Sequence, residues 1–127
     1  MIARLSDRPA ASVTPVDAAT LLGDWINYDL SSRNIAGLTI AQRGEAVILR
    51  VTGAPADDWG ETFIEPFPLT TAGGEAAAFR AAYDFDFARV AILAYLNKRL
   101  LVVDAYTTFQ DDSGRSNYFA RDHFWSR

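Results

Sequence analysis

From Asp24 to the C-terminus the sequence alternates apolar and polar residues in short runs broken by turn residues. A chain patterned this way builds a sheet and not a helical bundle. The runs fall at residues 24–29, 35–43, 46–52, 61–68, 76–84, 87–96, 99–109 and 117–125. Gly44-Glu45 and Asn97-Lys98 are short enough to be hairpin links, which makes the runs they join antiparallel neighbours. Eight strands connected like this fit an all-β fold, an eight-stranded antiparallel up-and-down barrel, the size whose interior holds one small ligand. The rivals are a β-sandwich and an α+β roll. Residues 75–82 (Glu-Ala-Ala-Ala-Phe-Arg-Ala-Ala) have the helix propensity that a roll would use.

Ahead of the strands, Thr14-Pro15 reads as a cap and first turn, Val16, Ala19 and Leu22 recur at helical spacing, and Gly23 is a stop. A short N-terminal helix is therefore expected to cover one end of the barrel. Residues 1–13 read as a flexible arm and 14–127 as a single β-barrel domain, with no repeat or low-complexity segment.

The chain has 127 residues, of which 50% are apolar and 13% aromatic, enough for a core or a cavity lined with rings. A net charge of −4 argues against a nucleic-acid partner. The lack of cysteine excludes disulfides and thiolate metal sites, and the single histidine, His123, excludes a multi-histidine zinc site. The acidic pairs Asp57-Asp58 and Asp111-Asp112 lack the oxygen-ligand spacing of an EF-hand loop. No metal and no organic cofactor are expected. The chain starts with methionine and has no apolar run suited to export or to spanning a membrane, so a cytoplasmic protein without a membrane partner is expected.

Gly23-Asp24-Trp25, preceded by a short helical segment and followed by these strands, resembles the calycin superfamily of lipocalins, fatty-acid-binding proteins and avidins. The resemblance implies a glycine where the backbone passes beneath the barrel floor and an indole that plugs the narrow end. It also implies an arginine from the end of the chain, here Arg121 or Arg127, stacked over that indole. The likeness to avidins extends only through Gly23-X-Trp25-X-Asn27, and the disulfides common in secreted lipocalins are absent.

Trp25, Asn27 and Asp29 share one face of the first strand, and a buried amide or carboxylate there needs a partner from the protein or a ligand. Arg33 is a candidate partner for Asp29. In a barrel, core and cavity wall are one surface, so Trp25, Asn27, Asp29, Phe63, Phe67, Phe79, Tyr83, Tyr95, Tyr106 and Arg121 are candidate ligand contacts. Glu65 shares the face of Phe63 and Phe67. If that face is interior, the carboxyl is desolvated and suited to general acid or base work. Asp104 on the seventh strand can pair with Arg121 or His123 on the eighth, and a carboxylate that orients a histidine supports proton transfer. Glu65, Asp104 and His123 are thus the catalytic candidates, and which face of residues 99–109 and 117–125 points inward stays open. The clusters Asp57-Asp58-Trp59-Gly60-Glu61 and Asp111-Asp112-Ser113-Gly114-Arg115-Ser116 are placed to rim a barrel mouth.

Residues 87–96 and 99–109 are apolar on both faces, which implies that the outer wall is covered, most economically by another copy in a dimer or tetramer. The expected function is binding of a small apolar molecule of polyketide, terpenoid or fatty-acyl type. A cofactor-independent cyclase or isomerase using the same cavity is the alternative, and an interaction module with a filled barrel is the third reading.

Overall fold

The computed structural model describes residues 16–54 and 56–127. Among these residues ten strands, β1 (Val16–Asp17), β2 (Gly23–Asn27), β3 (Ile35–Arg43), β4 (Ala46–Gly53), β5 (Asp57–Phe63), β6 (Glu65–Pro68), β7 (Gly74–Asp84), β8 (Ala88–Asn97), β9 (Leu100–Phe109) and β10 (Tyr118–Ser126), form one sheet. The sheet order is β1-β7-β8-β9-β10-β2-β3-β4-β5, with β6 also paired to β7. The molecule is nearly all-β, and the sheet curls into a half-barrel. No helix among the described residues is long and apolar enough to cross a membrane.

The expectation of eight strictly antiparallel strands is corrected in two places. First, residues 61–68 are not one strand. The pairing breaks at Ile64, whose N–H bonds back to Val47 O at 3.0 Å, so β5 pairs with β4 and β6 with β7. Pro66 and Pro68 explain the change of partner, because a residue without an N–H cannot serve a ladder on both sides. Second, β1 runs parallel to β7, in register Val16 with Gly74 and Asp17 with Glu75.

The expected N-terminal helix is not formed over the part described. Val16–Asp17 is strand, and only Ala19–Leu21 winds, as a 3-10 turn. Asp17 Oδ1 accepts the Ala19 N–H at 2.9 Å, while the Thr20 hydroxyl donates to Ala76 O of β7 at 2.8 Å. The segment is thus anchored by the sheet, which is a better bargain than nucleating a helix this short. The residues expected as a flexible arm, 1–13, and the cap Thr14-Pro15 lie outside the described residues. Residues 75–82 are strand despite their alanines. Hydrogen bonding to both β6 and β8 outweighs intrinsic propensity there.

The inner face buries one continuous cluster that includes Leu21, Ile35, Leu49, Phe79, Ile92, Leu101 and Phe124. Burial of each large side chain of this kind contributes about 1.5–3 kcal/mol. Alternation then fixes the outer face. On β8, β9 and β10 it carries Leu93, Tyr95, Tyr106, Phe119 and Trp125, all exposed. Between them Val102 and Asp104 point outward too, yet are only 1% and 8% exposed, because the neighbouring large side chains shelter them.

Candidate functional site

The chain reverses between β2 and β3, β4 and β5, β7 and β8, and β9 and β10 at the same end of the curled sheet. The opposite end is covered by the 3-10 turn. There Trp25 is buried, and its Nε1 donates to Leu21 O at 2.9 Å, tying the indole to that turn. One end is thus floored and the other carries the longer loops.

At the loop end lies a cleft of about 340 Å³ lined by Trp59, Phe85, Phe87, Phe109 and Tyr118. Ala88, Val90 and Thr107 also line it, with Asp57, Asp58 and Arg115. The rings are held by one another. Trp59 stands edge-on to Tyr83 and Phe85, with centroids 5.6 and 5.4 Å apart, and Tyr83, Phe85 and Phe87 stack in series at 5.5 and 6.0 Å. Such contacts favour a fixed arrangement of aromatic walls. Arg115 lays its guanidinium 4.2 Å from the Phe109 centroid and 5.5 Å from that of Phe87, and its Nη2 donates to Asp111 Oδ2 at 2.9 Å.

The acids at this end are stabilised as anions. The Gly60 N–H, then Arg50, hold the Asp58 carboxyl below its ordinary range, and the Ser113 hydroxyl with Arg115 does the same for Asp111. Behind the wall, Tyr83 is buried, with its hydroxyl shared between Gly60 O at 2.9 Å and Leu49 O at 3.3 Å. Burial pushes this phenol up from 10.0 to about 12. A phenol whose folded value exceeds its unfolded one stabilises the fold fully below pH 10, and this contribution is lost as pH rises through about 12. Tyr83→Phe is therefore expected to flatten the loss of urea stability between pH 10 and 12. At neutral pH it should cost about 1–2 kcal/mol, for the carbonyls left unpaired. An unchanged alkaline slope would show that Tyr83 is not the titrating group.

The candidates from the sequence separate into two sets. Trp25, Asn27, Phe79 and Tyr83 are buried on the inner side. Asn27 makes no call on a ligand, since its Nδ2 donates to Ile35 O and its Oδ1 accepts the Asp29 N–H, both at 2.8 Å. Asp29 is exposed at the turn, where hydrogen bonds from Ser31, and not Arg33, hold its carboxyl below the ordinary range. Phe63, Phe67, Tyr95, Tyr106 and Arg121 are on the exposed side. Glu65 is exposed and paired with Arg80. Asp104 is taken by Arg121 through two hydrogen bonds of 2.6 and 2.9 Å. His123 is exposed and sits opposite Val102, so the Asp104–His123 pair does not form. None of the three catalytic candidates lines the aromatic cleft. Arg121 lies over Phe119 and not over Trp25, with the guanidinium 5.7 Å from the ring centroid.

Trp59, Phe85, Phe87, Phe109, Tyr118 and Arg115 were not among those candidates. The rim clusters around Trp59 and Arg115 were the available signal, and period two carried past Tyr83 places Phe85 and Phe87 in line with it. A second opening at the same end is larger, about 550 Å³, and is lined by Asn27, Asp29, Leu30, Ser32, Arg33, Ala36 and Ala54. Asn27, Asp29 and Ser32 there are bonded to Ile35, Ser31 and Asp122, and its lining holds no aromatic ring, so the aromatic cleft is the better site for an apolar molecule. Among the described residues no group of three or more metal-ligating side chains is gathered. Comparison with known proteins returns no match: no family model fits the sequence, and no curated protein or solved structure is significantly similar to it.

Proposed function

We propose that the chain is a cytoplasmic binding protein for one small apolar molecule, seated in the aromatic cleft at the loop end of a calycin-like barrel. In this reading β5 and β6 count as a single strand bent at Ile64. The sheet then closes as an eight-stranded antiparallel barrel, floored by the 3-10 turn and Trp25 and open at the loops. The observation that carries the proposal is the convergence of five aromatic side chains from four segments on one cleft of about 340 Å³. That volume falls at the lower end of the roughly 300–1,000 Å³ typical of small-molecule sites. It suits a two- or three-ring polyketide or terpenoid, or the end of a fatty-acyl chain. Asp57 and Arg115 at the rim supply polar handles for the ligand's outer end. We further propose that copies of the chain self-associate through the apolar outer wall.

The test is titration with N-phenyl-1-naphthylamine, a neutral aromatic dye that brightens in apolar surroundings. Saturable 1:1 binding with a Kd on the order of 1–10 μM is expected, with displacement by fatty acids or flat polycyclic phenols. A linear, unsaturable rise with no displacement would remove the binding reading.

A further inference from the structure

Register carries the self-association reading one step further, to a specific interface. Across the outer face, the strand pairings place Glu65, Arg80, Leu93, Asp104 and Arg121 in one row, one residue from each of β6 to β10. Within the chain, Glu65 pairs with Arg80 and Asp104 with Arg121, so the row is charge-neutral although the whole chain carries −4. A two-fold axis running along β8 turns this row end for end. Arg80 of one copy then faces Asp104 of the other, and Leu93 faces its own counterpart. The result is an alternating series, Glu65, Arg80, then Asp104 and Arg121 of the second copy, formed twice by symmetry. The alternatives fail on charge: an axis along β9 sets Asp104 against itself, and one along β7 sets Arg80 against itself. Asp104 keeps lone pairs beyond its two hydrogen bonds, and because it is only 8% exposed, Arg80 of the second copy reaches it along Arg121, past the large side chains that shelter it.

Shape agrees with charge. The neighbouring row holds Ala82, Ala91 and Tyr106 on β7, β8 and β9. The same axis lowers Tyr106 of the second copy onto Ala82, where a cleft of about 390 Å³ opens between Phe63, Arg80, Ala91 and Leu93. Tyr106 is braced for this by Phe119, with ring centroids 5.0 Å apart. Area is sufficient as well. Phe63, Leu93, Tyr95, Tyr106 and Phe119 are 69%, 45%, 41%, 44% and 48% exposed. At roughly 200 Å² per large side chain they offer about 500 Å² of apolar surface per copy, and the flanking arginines and alanines bring this towards the roughly 800 Å² of a standard interface.

We propose that two copies of the chain form a two-fold dimer along β8, with Tyr106 of each seated in the Ala82–Ala91 trough of the other. This rests on the self-association reading, and sedimentation velocity separates the two. Wild type is expected at twice the 14.0 kDa chain mass. Leu93→Glu sets two carboxylates against each other on the axis and is expected to weaken dimerisation at least about 100-fold while leaving the strand spectrum intact. Ala82→Trp fills the trough and is expected to act in the same direction. Since the chain has no cysteine, Leu93→Cys is expected to be joined by a short bismaleimide and Thr39→Cys, on β3, is not. A monomeric wild type overturns both readings. A dimer that survives Leu93→Glu and Ala82→Trp and fails to cross-link at position 93 overturns this interface and leaves self-association standing.

Discussion

Trp25→Ala is expected to cost the fold about 4 kcal/mol, within the range for emptying a buried aromatic site. The indole is 4% exposed and packs in the central cluster, so its loss leaves a hole where the inner sheet face meets the 3-10 turn. It also strands Leu21 O, which now accepts the indole N–H at 2.9 Å. The two contributions can be separated, because Trp25→Phe keeps most of the ring and loses the hydrogen bond, at about 1–2 kcal/mol. A domain of this size has about 5–15 kcal/mol in total, so the alanine variant gives up a large share. Its Tm is expected to fall by roughly 15 °C, followed by circular dichroism with a matching urea series. Dye affinity of the folded fraction, measured in the cold, is expected to stay near wild type, because Trp25 does not line the aromatic cleft. A loss below about 1 kcal/mol would mean that this indole does not hold the floor together.

The burial of Trp25 was expected from the resemblance that Gly23-Asp24-Trp25 carries and not from any periodicity. The strands were legible from the alternation itself: period two survives any twist of the sheet, and β3 starts and ends where the alternation does, at Ile35 and Arg43. Two local facts were not. The helical spacing of Val16, Ala19 and Leu22 is equally compatible with a strand and a 3-10 turn tied down by the hydroxyl of Thr20. The break at Ile64 depends on which neighbour is within reach of two prolines, and that is tertiary information.

The site was harder to read. On β9 both faces are apolar over Leu101, Val102 and Val103, so nothing local says that Asp104 faces out while Ala105 faces in. An error of one residue there moves Asp104 and Tyr106 from cavity to surface. The cleft itself is built where alternation stops. Phe85 and Phe87 flank Asp86, whose φ of +68° turns the chain between β7 and β8 and leaves both rings at the mouth. Arg115 comes from the loop before β10. Phe85 and Phe87 keep the parity of Tyr83, but parity along one segment does not say that they meet Trp59, Phe109 and Tyr118 from other strands, and for that reason the aromatic run was legible as composition and not as a site.

Trp59→Ala is expected to weaken dye binding at least about 30-fold while costing the fold no more than about 2 kcal/mol, the reverse of the balance at Trp25. Trp59 begins the ring series through Tyr83, Phe85 and Phe87, and it is only part-buried, so most of what it holds is the shape of the cleft. Its position is set from behind by Gly53. A Cβ at that glycine would lie 2.5 Å from the indole Nε1, closer than unbonded atoms approach, so the ring rests where a side chain would otherwise be. Gly53→Ala must push the indole forward into the cleft, and an intermediate loss of about tenfold is expected without any cleft-lining residue having changed. Trp59→Phe keeps an apolar ring at the wall and is expected to bind better than either. The order Phe above the Gly53 variant above Ala belongs to a cleft shaped by Trp59. Equal affinities in all three, with wild-type binding retained, would move the dye to another surface and take the ligand site with it.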